Sequence, residues 1–342
     1  MSKVLPPKPR SLNQKTQITI VASLYNEEFT DAMVENAHEE LVELIPNGHI
    51  ELVRVPGAFE IPVTVETLIR QNKPECIICL GLIIVFSIIG PGIAQWSNEE
   101  IDWNVLGKVK TEGGPTLANG HYFGVDELGR DLYARVVQGS QTSLLVGFLA
   151  GTASVILGSV LGATAGYFGG RTDQIIMGAY TIWLSIPYII FFVVWQAFFG
   201  RSLTQMILVI ILVNWTAGLL IVRGQVMMLK NREFVDAARM LGMSDFAIIF
   251  KHLLLNVLST IEIYTSIVIP EVIMMESLVS FLGVGIQEPN TSWGALISEG
   301  ARTMTFGTLW QLAFPAAFFV IAQVSLYYIG DGLRDALDPK DR

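Results

Sequence analysis

Long apolar stretches dominate the chain after residue 75, and charged residues collect between them. A helix needs about 20 apolar residues to cross the hydrocarbon core, because each backbone N–H must be bonded within the segment. Small residues recur in the second stretch, G-T-A-S-V-I-L-G-S-V-L-G-A-T-A-G, as is typical of closely packed helices. The pattern predicts six transmembrane helices, at 76–95, 142–167, 175–199, 204–222, 257–282 and 309–330.

Residues 1–75 follow a different pattern. Q-I-T-I-V-A-S-L alternates like a strand, and E-E-F-T-D-A-M-V-E-N-A-H-E-E-L-V-E-L-I has apolar residues at helical spacing. A second strand, H-I-E-L-V-R-V, and a second helix, V-T-V-E-T-L-I-R-Q, follow. With the strand-like E-C-I-I-C-L-G-L that comes next, this β-α-β-α-β order predicts a partial α/β segment of the doubly wound, flavodoxin-like kind.

The stretch E-C-I-I-C-L-G-L between the two parts fits either structure. As a third strand, 75–82 would pair in the predicted sheet and the first span would shorten. As a helix, it supplies the roughly 20 residues that a span requires. We expect a helix from about Cys76 onward.

Composition supports a membrane protein. The chain has 342 residues, 51% of them hydrophobic and 15% charged, whereas soluble domains carry roughly a quarter charged residues. The net charge of −9 argues against nucleic-acid binding. The only two cysteines, Cys76 and Cys79, lie in an apolar run without histidine, which favours buried thiols over a metal or redox site. The polar stretch Met1–Gln17 predicts no cleavable signal peptide.

The distribution of basic residues predicts the orientation. With a cytoplasmic N-terminus, sixteen of the 22 Lys and Arg residues lie on the cytoplasmic side and six on the other. Both termini are therefore expected in the cytoplasm, and 96–141 is expected to be an extracytoplasmic loop.

The loop 232–256 is the longest charged stretch between the later spans. Gly242 predicts the end of one short helix, and Ser244 or Asp245 can cap a second. Small residues keep one surface of the loop narrow and large apolar residues offer anchors, as in a helix that docks into a groove of another protein. An ordinary amphipathic connector is the alternative. The small residues are Ala237, Ala238 and Gly242, and the expected anchors are Phe246, Ile249 and Phe250.

Two carboxylates fall inside the predicted fifth span, Glu271 and Glu276, next to Pro270. Charged groups in a membrane are costly, so a place at a translocation path or a subunit interface is the first hypothesis. A packed, hydrogen-bonded carboxyl group without solute contact is the alternative.

Several motifs resemble one transporter family. V-D-A-A-R-M-L-G is similar to the E-A-A-x-x-x-G coupling loop of ABC importer permeases. The dipeptide/oligopeptide type is indicated by D-E-L-G-R-D-L-Y-A-R, G-G-R-T-D, L-S-I-P, S-F-L-G-V-G-I-Q-E-P-N-T-S-W-G and G-D-G-L-R-D-A-L-D-P, which keep the family's order over about 81–342. The resemblance implies a mainly α, six-helix type I importer permease. It also implies that the ATPase-coupling residues are Glu233, Asp236, Ala237, Ala238, Gly242 and Phe246.

The resemblance further implies an assembly in a bacterial inner membrane. Its partners would be a second homologous permease, two ABC ATPase subunits and an extracytoplasmic solute-binding protein, surrounded by membrane lipid. The chain contains no G-x-x-x-x-G-K-[ST] sequence, so we expect no directly bound cofactor, and ATP used by the partner subunits. Peptides, nickel-like complexes and glycosides are the solutes that the family handles.

Three departures from the family pattern stand out. Asp236 replaces the usual Glu and keeps its charge, whereas Leu255 replaces a common Pro and predicts a softer bend. Gly178 and Thr181 stand where an Arg and an Asp are common, which affects the expected packing or gating of the third span.

The N-terminal part resembles lumazine synthase, through S-L-Y-N, R-V-P-G-A-F-E-I-P and C-L-G-L-I-I. The resemblance implies a vestigial substrate site. About half of that enzyme is missing, including its phosphate loop and general-base histidine, and His121 belongs to the permease pattern instead. We expect 6,7-dimethyl-8-ribityllumazine synthase, the alternative function, to be inactive. The carried-over positions are Tyr25, Asn26, Ala58, Phe59 and Glu60.

C-L-G-L-I-I at 79–84 fits both families. A fusion at this shared sequence, natural or an assembly error, explains the two patterns. An interaction module is a further hypothesis for 1–75.

Overall fold

The computed structural model describes residues 17–23, 49–55 and 76–337. The chain divides into two compact units, Met1–Pro74 and Glu75–Arg342. In the first unit, β1 (Gln17–Ser23) and β2 (His49–Val55) pair in parallel, with Gln17 opposite His49. Both predicted strands are therefore present. The helices predicted between and after them, and the vestigial enzyme residues, lie outside the described residues.

The second unit is helical. Besides a π-helical turn (Ile249–Leu253) and a 3₁₀ turn (Met304–Phe306), its described helices are α1 (Cys76–Ile93), α2 (Val109–Glu112), α3 (Leu132–Phe168), α4 (Gly170–Leu184), α5 (Tyr188–Phe199), α6 (Leu203–Asn214), α7 (Thr216–Leu229), α8 (Glu233–Met240), α9 (Asp245–Ile248), α10 (Leu254–Asn256), α11 (Leu258–Phe281), α12 (Trp293–Thr303) and α13 (Trp310–Leu337).

The stretch that fits two structures is helical. α1 begins at Cys76, and its Leu80 and Ile83 are buried against Leu144 of α3 and Leu326 of α13. The packing of these aliphatic side chains between helices stabilises the helical alternative.

Four helices are long and apolar enough to cross a membrane, and α4 with α5 raises the number to five if they form one span; this holds for the described residues. The long spans are Leu132–Phe168, Leu203–Leu229, Leu258–Phe281 and Trp310–Arg334. α1 has 18 residues and is short for a span. All six predicted segments are thus helical, with different bounds.

The second and third predicted spans differ most from the structure. α3 begins ten residues before 142, because the Asp131 carboxylate caps it by accepting from the Ala134 N–H at 2.8 Å. The third span, predicted as one helix over 175–199, is two helices at 88°. Pro187 disfavours helical geometry at the residue before it, so the chain turns at L-S-I-P.

α3 is the central helix, and glycines set its distance from α7. A Cβ at Gly158, Gly162 or Gly166 would lie within 2.7 Å of a backbone oxygen of α7 or of Trp215, which precedes it. The glycine stripe therefore permits backbone-to-backbone approach. At the start of α4, the Asp173 carboxylate accepts two bonds from the Arg223 guanidinium of α7, at 2.6 and 2.7 Å.

Candidate functional site

The loop 232–256 folds as two short helices around a glycine, as the sequence predicts. α8 ends at Met240, and Gly242, two residues later, has a φ of +74° that is readily adopted only by glycine. The Met243 N–H then bonds back to the Ala238 carbonyl at 3.2 Å. Ser244 caps α9 by accepting from the Ala247 N–H.

One face of this loop is buried against the membrane helices. Val235, Ala238 and Ile248 pack with Ala163 of α3 and Val222 of α7. Ile249, expected as an apolar anchor for a partner, is buried in the same cluster and begins a π-helical turn; that expectation is wrong. The loop is thus fixed to the ends of α3 and α7.

The opposite face of the loop is exposed and apolar. Met240 and Leu241 are more than 80% exposed and Phe246 is 67% exposed, with Phe234 and Phe250 beside them in the loop. Apolar side chains clustered on a loop between charged residues are typical of a protein interface. We call Phe234, Met240, Leu241, Phe246 and Phe250 the exposed loop face.

The predicted coupling residues mostly lie on the exposed side. Ala238 is buried, and the side chain of Asp236 pairs with Arg239 at 2.9 Å. Asp236, the departure from the usual Glu, thus keeps a charged partner. The exposed members of the set are Glu233, Asp236, Ala237, Gly242 and Phe246.

Polar contacts join the loop to the end of α3. The Tyr167 hydroxyl donates to Asp245 at 2.6 Å, and the Arg239 guanidinium lies 5.3 Å from the Tyr167 ring. Lys230 Nζ donates to the Gly166 carbonyl at 2.9 Å, satisfying an otherwise unpaired acceptor at the helix end. No residue pattern identifies Tyr167 or Lys230 in advance, because their partners are distant in sequence.

The other two departures from the family pattern, at Leu255 and at Gly178 with Thr181, lie within helices. The chain runs helically through Leu255 and is interrupted at Val257, with φ −106° and ψ 8°. Gly178 faces open space, and the Thr181 hydroxyl bonds its own helix at the Met177 carbonyl.

The two membrane carboxylates have different surroundings. Glu276 is fully buried and accepts hydrogen bonds from the hydroxyls of Ser143, Ser277 and Ser280, at 3.0, 3.3 and 2.7 Å. Glu271 lies five residues earlier on the same helix and is exposed. The geometry of Glu276 favours the packed alternative, and its assignment to a path stays a prediction.

The serine cluster also fixes α12. The Trp293 indole N–H donates to Ser140 at 3.0 Å, and its backbone N–H donates to Ser143 at 3.2 Å. Glu276 therefore orients the Ser143 hydroxyl, which accepts the backbone hydrogen bond from Trp293, the first residue of α12.

Ion pairs cluster at the bundle end remote from the loop 232–256. Arg135 is buried and forms ion pairs with Asp126 at 2.6 Å and with Glu299 at 2.5 Å, and the second pair joins α3 to α12. Arg130 bonds Asp126 and Glu288 at 2.7 and 2.8 Å. Arg130 is substantially buried, yet the charges of Asp126 and Glu288 hold its pKa above the usual value.

His121 lies between two buried carboxylates. Its Nδ1 is 2.9 Å from Asp131 and its Nε2 is 3.3 Å from Asp102, while Trp96 stacks on the ring. Burial raises the pKa of Asp131 despite its hydrogen bonds. Burial also tends to raise the pKa of Asp102, but hydrogen bonds from Asn104 and His121 outweigh this effect, and the pKa is lowered. In the described residues, no group of His, Cys, Asp and Glu side chains is arranged to hold a metal ion.

Two families match this chain. The binding-protein-dependent transport system inner membrane component family matches residues 158–342. The 6,7-dimethyl-8-ribityllumazine synthase family matches residues 15–86, so the predicted N-terminal resemblance is confirmed. The second match runs into α1, where this chain is helical.

Curated relatives cover most of the chain. The oligopeptide transport system permease protein OppC of Haemophilus influenzae is 42% identical over 78% of this chain and 84% of its own. The dipeptide transport system permease protein DppC of Bacillus subtilis is 36% identical, over 80% and 85%. A structure of the MetNI methionine ABC transporter aligns with a TM-score of 0.47 and 18% identity, over 60% of this chain and 96% of that one.

Proposed function

The chain belongs to the family of binding-protein-dependent transport system inner membrane components, and we propose that it serves a peptide importer. It is an integral inner-membrane permease subunit. The oligopeptide and dipeptide transport relatives support peptides as the solute class. Nickel-like complexes and glycosides remain the alternatives, because the sequence motifs of the permease do not name the solute.

The exposed loop face carries the proposal. Its large apolar side chains lie at an end of a membrane bundle, where a water-soluble partner can cover them. Phe246 would fill a pocket of an ATPase subunit, while the small residues Ala237 and Gly242 allow close approach. Glu233 and Asp236 would contribute polar contacts at the rim of this interface.

Movement of the loop would be transmitted to the bundle as a rigid body. The buried loop face, the Tyr167–Asp245 bond and the Lys230–Gly166 bond join the loop to α3. The Asp173–Arg223 pair then joins α4 to α7. ATP-driven closure of the partner subunits would tilt these helices together and alternate access to a central path. The chain itself would bind no nucleotide.

The complete importer would contain a second homologous permease, two ATPase subunits and an extracytoplasmic binding protein. α4 has no buried residue in the isolated subunit, which supports a further membrane subunit beside it. The excess of Lys and Arg on one side supports cytoplasmic termini and a cytoplasmic loop 232–256.

The N-terminal segment would be enzymatically inactive. Its family match ends at residue 86, and from Cys76 the described chain is already α1. A synthase needs both a base and a phosphate anchor in place. Incubating the full chain with the two lumazine precursors should therefore produce no lumazine fluorescence. Deleting residues 2–74 tests the interaction-module hypothesis, since unchanged uptake would contradict it.

Reconstitution tests the transport proposal. Proteoliposomes containing the chain and its co-expressed partner subunits should take up labelled tripeptide only with ATP and loaded binding protein. Phe246→Asp should reduce ATPase capture by at least about tenfold, because it places a charge in an apolar contact. Leu117→Asp is the control, since Leu117 is 83% exposed in the predicted extracytoplasmic loop 96–141, outside the membrane helices and the loop 232–256.

Two results would contradict the proposal. One is uptake that does not depend on an ATPase subunit. The other is labelling that places cysteines at Asp236 and Glu288 in the same aqueous compartment.

A further inference from the structure

Glu271 lines an open cleft halfway along α11. The cleft has a volume of about 440 Å³ and is otherwise nearly apolar. α11 contributes most of its wall, and α5, α12 and α13 close the rest. The side chains that matter here are Tyr188, Met274, Met275, Leu278, Phe281 and Phe319.

The Glu271 carboxylate has no hydrogen bond or ion pair within the described part of the subunit. Glu276, one and a half turns away, has three serine donors. Glu271 lies 13 residues from the first residue of α11, or roughly 20 Å along the helix axis. A carboxylate at that depth is costly without a partner. The Glu271 carboxylate is therefore free to accept a donor from outside this subunit.

We propose that Glu271 binds the protonated terminal amine of the peptide during passage; this inference rests on the proposed function. The amine is the cation that peptides share whatever their side chains. Met274, Met275 and Phe281 line the same cleft, and their flexible and aromatic apolar surface adapts to side chains of different shape. One fixed charge and an adaptable wall together select for peptides as a class.

The size of the cleft favours a solute over a side chain of the second permease. About 440 Å³ lies in the range of small-molecule sites and exceeds what one Lys or Arg side chain fills.

Cysteine labelling tests the site in the assembled complex. Met274→Cys, with Cys76 and Cys79 replaced by serine, places a thiol one turn from Glu271 on the same helix face. The measured quantity is the ratio of the labelling rate by a cationic methanethiosulfonate to the rate by a neutral one. This ratio should be about tenfold higher with Glu271 than with Glu271→Gln, because the carboxylate attracts the cationic reagent. Millimolar trialanine should slow the labelling, and N-acetyl-trialanine should not.

Matched variants define the control. Glu262→Gln removes another carboxylate of α11 that does not line the cleft, and it should leave the labelling and the protection unchanged. Glu271→Asp should restore most of the preference for the free amine, because the charge is kept.

Three outcomes would overturn the inference: equal protection by both peptides, protection unchanged by Glu271→Gln, or a thiol that reacts in the isolated subunit but not in the complex. The last result would assign the cleft to the second permease. ATP-dependent uptake by the same vesicles is measured separately, so failure of the transport proposal is distinguishable from failure of this site.

Discussion

The hydroxyl of Tyr167 lies 2.6 Å from Oδ1 of Asp245, although 78 residues separate them. Tyr167 is in the last turn of α3, and Asp245 is the first residue of α9 in the exposed loop. The bond therefore connects the central helix directly to the proposed ATPase-binding element. It is a point where movement of the loop would be passed to the bundle.

Tyr167→Phe should weaken this connection while keeping the ring in place. A hydrogen bond to a charged group that is partly exposed contributes about 1 kcal/mol, equivalent to roughly a fivefold change in an equilibrium. We expect fewer peptides transported per ATP hydrolysed, with subunit assembly unchanged. The measurement is the ratio of uptake to ATP hydrolysis in proteoliposomes. Tyr180→Phe on α4 is the control, and an equal change there would remove the special role of Tyr167.

Gly162→Ala should destabilise the packing of α3 against α7. The added Cβ would lie 2.4 Å from the Leu219 carbonyl oxygen, so the helices must separate, at a cost of about 1 to 3 kcal/mol. Gly178→Ala adds the same atom where nothing lies within 4 Å, and it should leave stability unchanged or slightly raised. Thermal unfolding in detergent compares the two variants. Equal transition temperatures would contradict the close-packing interpretation.

Glu276→Ala should lower thermal stability more than Glu276→Gln. Alanine leaves three buried serine hydroxyls without their acceptor and opens a cavity, which together cost several kcal/mol. Glutamine keeps the volume and one acceptor oxygen. If Glu276 is purely structural, Glu276→Gln should show nearly normal uptake. A strong loss of uptake in a stable Glu276→Gln complex would instead support a position on the translocation path.

The segment around Asp102 should lose protection in acid. Its pKa is lowered in the folded protein, so the charged form contributes stability above the ordinary aspartate value of roughly 4. That contribution is lost as the pH falls through the lower, folded value. Burial raises the pKa of Asp131, so the contribution of that group to stability changes with pH in the opposite direction.

Hydrogen exchange of the Asn104 amide, which donates to Asp102 at 2.9 Å, measures this effect after correction for the intrinsic pH dependence. Asp102→Asn should remove most of the acid-dependent loss. If the pH dependence of Asn104 exchange is the same in Asp102→Asn as in the unchanged protein, another group causes the acid sensitivity.

The sequence determined where helices form in the membrane unit. Apolar runs of span length have few structural alternatives in lipid, and Gly242 and Ser244 end and begin helices through local geometry. For the same reason, the two helices of the loop 232–256 were predictable from residues close together in the chain. The transporter family could also be identified from its motifs.

Only the tertiary structure decided which surface of each helix meets which neighbour. Glu271 and Glu276 share one apolar helix in the sequence, yet one faces a cleft and the other three serines. The start of α1 also has a strand-like pattern; span length favoured the helix, and the contacts of Leu80 and Ile83 with α3 and α13 show how that helix is held. The physical reason is that burial, hydrogen bonding and helix contact depend on residues tens to more than a hundred positions away, which a local pattern does not contain.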